Sequence, residues 1–124
     1  MQFLSRYNHL QFPSILSAYL FPASINLSIS IELSQSFFLI HDDIIDRSDL
    51  RRGFKSFHRK VEEMLGDIKD KEHMAESLAI VAGDLAVDYS FDALNRSDFP
   101  LDIKYRAMGE LIEIIKTTGY GEVL

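Results

Sequence analysis

The feature that most constrains the fold is a stretch of more than twenty residues, 24–46, that contains neither glycine nor proline. Its first part, SINLSISIELS, alternates apolar and polar residues, which is typical of a strand. Apolar residues also recur at every fourth position, as on one face of a helix. They are Ile25, Ile29, Leu33 and Phe37. Because strands of this length are rare, we interpret the stretch as a helix about 30 Å long.

Proline positions suggest a separate helix before this one. Residues 12–22, FPSILSAYLFP, are mostly apolar and are bounded by prolines. Pro13 suits the first turn of a helix, where its missing N–H leaves no bond unmade, and Pro22 suits the end of one. The sequence therefore predicts a short helix that stops at Pro22.

The second half of the chain predicts two more helices. Residues 71–95 are rich in alanine and carry apolar side chains at helical spacing. Residues 101–118 are amphipathic, and Gly119 and Gly121 then indicate a break or a tight crossing. The polar segment 53–70 is interpreted as a loop with room for a short helix. Together these segments predict an all-α fold in which residues 1–124 form part of a single domain.

Composition narrows the classes of function. The chain has 124 residues, no cysteine and a formal net charge of −6, with a pI near 5.1. Cysteine is thus excluded as a disulfide partner or metal ligand, and the acidic balance disfavours nucleic acid as a partner. Neither a signal peptide nor a transmembrane segment is evident, so a cytoplasmic location is expected. The basic run at residues 51–60 is by default a solvated loop.

Acidic and basic residues are concentrated in HDDIIDRSDLRRG, residues 41–53. Three carboxylates near the end of a helix repel one another and oppose the helix dipole, which a bound cation would relieve. They are Asp42, Asp43 and Asp46. Oxygen ligands favour Mg²⁺, and the forked donors of Arg51 and Arg52 suit phosphate. The pattern predicts a site for Mg²⁺ and a diphosphate. An EF-hand is excluded by the glycine and glutamate offsets, and a solvated acidic helix end is the alternative.

These residues resemble a known family. The segment ELSQSFFLIHDDIIDRSDLRRG is similar to the first aspartate-rich motif of the trans-isoprenyl diphosphate synthases, the polyprenyl synthetase family, in which DDxxD is followed by RRG. Supporting similarities are SLAIVAGDLAVDYSFDAL and TTGYGEVL. The resemblance extends from about Ile31 onward. It implies a helical bundle of the isoprenoid synthase type, incomplete in this chain, and a Mg²⁺-dependent prenyltransferase that condenses isopentenyl diphosphate with an allylic diphosphate.

The resemblance also implies roles for individual residues. Three aspartates would hold Mg²⁺ against the allylic diphosphate and take part in catalysis: Asp42, Asp43 and Asp46. Arg51 would contact that diphosphate, while Arg52 and Gln35 would contact isopentenyl diphosphate. Metal and arginine charge would stabilise the leaving diphosphate, and apolar helices would shelter the cation formed.

Aromatic residues before the acidic motif would set the product length. Phe37 and Phe38 stand at positions where, in the family, bulky side chains form the floor of the pocket in which the product grows. Two phenylalanines there favour a farnesyl- or geranylgeranyl-sized product. Ordinary core packing is the alternative for both. His41 and His58 match positions that are often histidine in the family, and both are interpreted as structural.

The chain departs from the family in three places. His9 and Phe12 stand where the family has the Lys and Arg of an isopentenyl diphosphate clamp. RRGFKSFH lacks the proline of RRGKPTxH, and no second aspartate-rich motif is present. Family members are also more than twice as long. We therefore expect a truncated synthase, or a non-catalytic subunit that stabilises a partner, and in either case an oligomer, typically a dimer.

Two further classes remain as alternatives. A class I terpene cyclase shares DDxxD, but Arg51-Arg52-Gly53 and Gln35 argue against it because a cyclase binds no isopentenyl diphosphate. A phosphate or nucleic-acid binder could use residues 51–60, although the net charge argues against it. Salt dependence of binding would separate such a binder from a Mg²⁺-dependent site.

Overall fold

The computed structural model describes the backbone from Phe12 to Leu124 and the side chains from residue 24 onward. This part of the chain contains four helices and one two-stranded antiparallel sheet. The helices are α1 (Phe12–Ile45), α2 (Phe57–Met64), α3 (Lys71–Asn95) and α4 (Leu101–Val123). The strands are β1 (Leu50–Arg51) and β2 (Phe54–Lys55), and they lie between α1 and α2. The predicted all-α class is confirmed.

The first helix is longer than predicted. The interpretation of residues 24–46 as a helix is correct, but the predicted stop at Pro22 is wrong, because α1 runs unbroken from Phe12 to Ile45. Proline removes one backbone donor inside a helix, yet its fixed φ is itself helical. The absence of glycine and proline after Pro22 then lets the helix continue.

The acidic motif lies where α1 ends. Arg47 adopts a left-handed conformation, with φ 53°. Its N–H donates to the Ile44 carbonyl oxygen (3.1 Å), and the Ser48 N–H donates to the Asp43 carbonyl oxygen (2.8 Å). These two bonds satisfy the last carbonyls of α1 in the manner of a Schellman cap. Asp46 consequently lies one residue beyond α1 and not on it.

A tight hairpin follows, in a segment that the sequence predicted as a loop. Arg51 pairs with Phe54, so only Arg52 and Gly53 form the turn. Both have positive φ, 51° and 82°, as a type I′ turn requires. Glycine supplies this conformation without strain, whereas Arg52 adopts it despite its side chain. The hairpin turns the chain back beside the end of α1.

The chain divides into two compact units, one of them formed by Ile29–Asp92. In this unit small buried residues recur along α3 three or four positions apart: Ala75, Ala79, Gly83, Ala86 and Ser90. Gly83 and Ser90 lie directly against α1, at His41 and Ser30, so the two backbones approach closely there. Buried hydroxyls join the helices: Ser90 Oγ donates to the Ser30 carbonyl oxygen (2.8 Å) and lies 2.6 Å from Ser34 Oγ.

Among the described residues, the other unit comprises residues 12–28 and Ala93–Leu124. The α4 helix begins after Pro100 and continues to Val123, so the predicted break at Gly119 and Gly121 is wrong. Glycine weakens a helix by about 1 kcal/mol per residue, which does not suffice to end it. None of the helices in the described part of the chain has both the length and the apolar character needed to cross a membrane.

Candidate functional site

The centre of the acidic motif is an ion pair between Asp43 and Arg51. Arg51 Nε donates to both carboxylate oxygens of Asp43, at 2.9 and 3.0 Å. Its Nη2 donates to Asp42 Oδ2 at 2.7 Å and lies 2.8 Å from Asp43 Oδ1. Asp43 is only 3% exposed. These contacts raise the pKa of Arg51, and the hydrogen bond with Asp43 contributes most. The guanidinium therefore stays charged between the two carboxylates.

The secondary structure explains why Arg51 contacts Asp42 and Asp43. Asp42 and Asp43 lie on the last turn of α1, and Arg51 ends β1. The cap after α1 reverses the chain, and the hairpin then places the guanidinium over both carboxylates. Sequence spacing predicted the arginine to lie near the acids, but the structure adds that it contacts them directly.

The third aspartate is not part of this cluster. Asp46 is exposed beyond the end of α1. Across the described residues, no three histidine or carboxylate side chains are gathered to hold a metal ion. Asp42 and Asp43 do converge on one cationic point, the Nη2 of Arg51. Two carboxylates that share a cation are a donor set compatible with Mg²⁺, which commonly takes one or two carboxylates and completes its shell with water and phosphate oxygens.

The two residues predicted to contact isopentenyl diphosphate lie in different surroundings. Arg52 is exposed in the hairpin turn and lines an open cleft of about 430 Å³. The cleft also contains Arg51, Lys60 and apolar side chains that include Phe57. Gln35 is exposed on α1 and is not among the residues that line this cleft. The structure thus brings Arg52 and Arg51 together, and Gln35 stays apart from them.

The aromatic residues before the motif pack against each other and against His41. The Phe37 ring lies 5.0 Å from that of Phe38 and meets the His41 ring edge-on at 4.7 Å. His41 Nε2 donates to the Ile80 carbonyl oxygen (3.2 Å) and lies 3.5 Å from Asp84 Oδ1. This places His41 in a structural role between α1 and α3. Phe37 and Phe38 are both half-buried, so packing is part of their role.

A double-mutant cycle tests how tightly His41 fits against Gly83. A Cβ on Gly83 would lie 2.9 Å from His41 Nε2 and 3.1 Å from its Cε1. We expect Gly83→Ala to lower the free energy of unfolding by about 1 kcal/mol, because displacing the ring outweighs the helix propensity gained. With His41→Ala present, the same change should raise it by about 1 kcal/mol. Urea unfolding measures both, and stabilisation by Gly83→Ala in both backgrounds would contradict the close contact.

Sequence reasoning missed a second ion-pair network, centred on Arg59. Its guanidinium donates to Asp49 (2.7 Å), Glu62 (2.7 Å) and Glu72 (3.0 Å). The hydrogen bond to Glu62 is the largest of several contacts that raise the pKa of Arg59. The network ties the residue before β1 to α2 and α3. The i,i+3 spacing of Arg59 and Glu62 was a usable signal, but Asp49 and Glu72 are partners only in the fold.

His58 is also structural. It is 2% exposed at the start of α2, and its Nδ1 lies 3.3 Å from the hydroxyl of Ser56, which is 1% exposed. Ser56 precedes α2, and its N–H donates to the Asp49 carbonyl oxygen (2.9 Å). The two buried side chains therefore connect the hairpin to α2, as the sequence interpretation of His58 expects.

Comparison with known proteins identifies the family. The polyprenyl synthetase family model matches residues 9–124. The chain is 37% identical over 87 residues to a geranylfarnesyl diphosphate synthase of Natronomonas pharaonis, covering 70% of this chain and 22% of that protein. It is 32% identical over 91 residues to a geranylgeranyl pyrophosphate synthase of Geoglobus acetivorans, covering 73% and 24%.

A third relative is a geranylgeranyl diphosphate synthase of Saccharolobus solfataricus, 32% identical over 97 residues, or 77% of this chain and 25% of that protein. No solved structure matched the chain. The chain belongs to the polyprenyl synthetase family, and it spans about a quarter of the length of these relatives.

Proposed function

We propose that this chain supplies the allylic-diphosphate site of a short-chain isoprenyl diphosphate synthase. The reaction is the Mg²⁺-dependent, head-to-tail condensation of isopentenyl diphosphate with an allylic diphosphate. The observation that carries the proposal is the contact of Asp42 and Asp43 with Arg51 at 2.7–2.9 Å, in a chain of this family. This contact places the carboxylates that can bind a metal ion next to the arginine that can bind a phosphate group.

Each side chain has a role in this proposal. The three aspartates of DDxxD hold Mg²⁺, with Asp42 and Asp43 already converging and Asp46 beside them in sequence. Arg51 binds the allylic diphosphate through its forked donors. When bound, Mg²⁺ supplies positive charge that stabilises the leaving diphosphate. Loss of the diphosphate leaves an allylic cation. Half-buried aromatic and aliphatic residues of α1 exclude water from this cation.

The proposal also covers the second substrate and the product length. Arg52, exposed beside Arg51, binds isopentenyl diphosphate, and Gln35 joins it from α1. Phe37 and Phe38 limit the product to farnesyl or geranylgeranyl size. Relatives named geranylgeranyl diphosphate synthases support the upper end of this range, whereas the relative named a geranylfarnesyl diphosphate synthase is named for a longer product.

An oligomer, typically a homodimer, is part of the proposal. One face of α3 exposes a stripe of apolar side chains at helical spacing. They are Met74, Leu78, Val81, Leu85 and Tyr89, each 44–60% exposed. An apolar stripe of this length favours burial against another protein surface. A cytoplasmic location stays a prediction from the sequence.

A non-catalytic subunit is the second candidate. His9 and Phe12 stand where the family has the Lys and Arg of its isopentenyl diphosphate clamp. His9 and the side chain of Phe12 lie outside the described residues, so this support comes from the sequence. Such a subunit would keep metal-dependent diphosphate binding but turn over no substrate.

Prenyl transfer from geranyl diphosphate to labelled isopentenyl diphosphate tests the proposal, with Mg²⁺ and with a chelator. Binding of geranyl diphosphate is measured in parallel by calorimetry. Product that disappears with chelator is the expected result. Metal-dependent binding without product would favour the non-catalytic subunit instead. Absence of metal-dependent binding would overturn both candidates.

A further inference from the structure

Arg51 occupies the place from which a metal ion would contact Asp42. Its Nη2 lies 2.7 Å from Asp42 Oδ2 and 2.8 Å from Asp43 Oδ1. A divalent ion bound to Asp42 Oδ2 or to Asp43 Oδ1 would lie within a few ångströms of Nη2. Two cations so close repel strongly, so the ion would displace Nη2. Binding of the metal is therefore an exchange of one cation for another.

The two carboxylates bind Arg51 differently, and this difference determines which contact of Arg51 a metal ion can replace. Nε is bonded to both oxygens of Asp43, and Asp43 is 3% exposed. Leaving a buried carboxylate without its partner is costly, so this contact is retained. Asp42 is 39% exposed in its side chain and is bonded to Nη2 alone. The exchange thus takes place at Nη2, which the ion displaces from Asp42 Oδ2 and Asp43 Oδ1, while the bonds from Nε to Asp43 keep the guanidinium in position.

We propose that Arg51 makes the acidic motif selective for a divalent ion accompanied by a diphosphate, over the free ion. This inference rests on the proposed function. A free ion that takes Asp42 leaves Nη2 without its charge-assisted hydrogen bond. A diphosphate oxygen replaces that bond, so the ion and the diphosphate bind cooperatively. The Arg51 side chain is 32% exposed, and Nη2 can reach such an oxygen while Nε stays on Asp43.

Removing Arg51, an arginine assigned to substrate binding, should strengthen binding of the free metal ion. We expect Arg51→Gln to bind Mn²⁺ alone roughly tenfold more tightly than the unmodified chain. Inorganic diphosphate should tighten Mn²⁺ binding to the unmodified chain by a larger factor than to this variant, in which only the coordination of diphosphate to the ion remains. Equilibrium dialysis measures protein-bound Mn²⁺ directly, with and without diphosphate.

Two further variants separate the contact from the charge. Arg47→Gln removes the same charge from the turn after α1, at an exposed residue whose side chain contacts neither Asp42 nor Asp43. It should change Mn²⁺ affinity by less than about threefold. Arg51→Lys keeps the charge but cannot bridge both carboxylates, so it should bind free Mn²⁺ more tightly than the unmodified chain.

The outcomes are distinguishable. Equal Mn²⁺ affinity in Arg51→Gln and Arg47→Gln would overturn the inference while leaving metal-dependent diphosphate binding intact. A chain that binds no diphosphate with Mn²⁺ would overturn the proposed function, and the inference with it. If circular dichroism shows that Arg51→Gln has lost its helices, Arg51→Lys decides the question alone, and no gain over the unmodified chain would refute the inference.

Discussion

Replacement of Asp42 by alanine should weaken Mg²⁺-dependent diphosphate binding by roughly a hundredfold or more. Asp42 is the partly exposed carboxylate on which a metal ion can act without dismantling the buried pair of Asp43 and Arg51. Helix content should hardly change, because the lost contact with Arg51 is partly exposed and Arg51 keeps its bonds to Asp43. Calorimetric titration of the protein with inorganic diphosphate in the presence of Mg²⁺ measures the binding. Far-ultraviolet circular dichroism measures the helix content.

A matched control separates the metal site from general charge. Asp88→Ala removes one carboxylate from an exposed position on α3 and should leave diphosphate affinity within about threefold of the unmodified chain. Full Mg²⁺-dependent binding by Asp42→Ala would show that DDIID is a solvated helix end and not a metal site. A loss of similar size in both variants would show that net charge, and not the motif, governs binding.

The sequence was informative where one interaction dominates. Residues 71–95 formed the predicted helix with the predicted bounds because apolar spacing and alanine content favour helix together. Residues 24–46 were ambiguous because alternation and a four-residue repeat coincided in SINLSISIELS. Length favours helix correctly, and the prediction is wrong at the two ends: α1 continues through Pro22, and it stops at Ile45, before Asp46.

The boundaries failed for the opposite reason, since several weak effects compete there. Pro22, Gly119 and Gly121 each disfavour a helix locally, yet both helices continue through them. The turn of the hairpin was missed because Arg52 is an uncommon residue at positive φ. Only the following Gly53 matches a type I′ signal, and Asn or Asp normally precedes it.

For the candidate site, sequence spacing gave the components but not their partners. Placing Asp42 and Asp43 on one helix end required only helical geometry. The contact of Arg51 with both acids depends on the cap at Arg47 and on the hairpin register, neither of which the sequence pattern predicted. The motif itself indicates the family, because DDxxD followed by RRG combines metal ligands and phosphate-binding arginines in one short segment.

Ser90→Leu should cause the largest loss of stability, a decrease of about 3 kcal/mol in the free energy of unfolding. Ser90 is fully buried between α1 and α3, where its hydroxyl donates to the Ser30 carbonyl oxygen. Leucine puts three carbon atoms in place of the hydroxyl oxygen, in a space lined by the hydroxyls of Ser30 and Ser34. It also removes one of the two partners of Ser34 Oγ, which lies 2.6 Å from Ser90 Oγ and donates to the Ser30 carbonyl oxygen. Urea unfolding followed by circular dichroism measures the change.

Two variants divide this loss into its causes. Ser90→Ala removes the hydroxyl without adding volume and should cost about 1 kcal/mol. Ser77→Leu makes the same enlargement on α3 at a partly exposed position and should change stability by less than about 0.5 kcal/mol. If Ser90→Leu and Ser90→Ala lose the same amount, the helices are not closely packed at this point. A larger loss for leucine would show that small side chains set the distance between α3 and the helix that carries Asp42, and hence the position of the acidic motif.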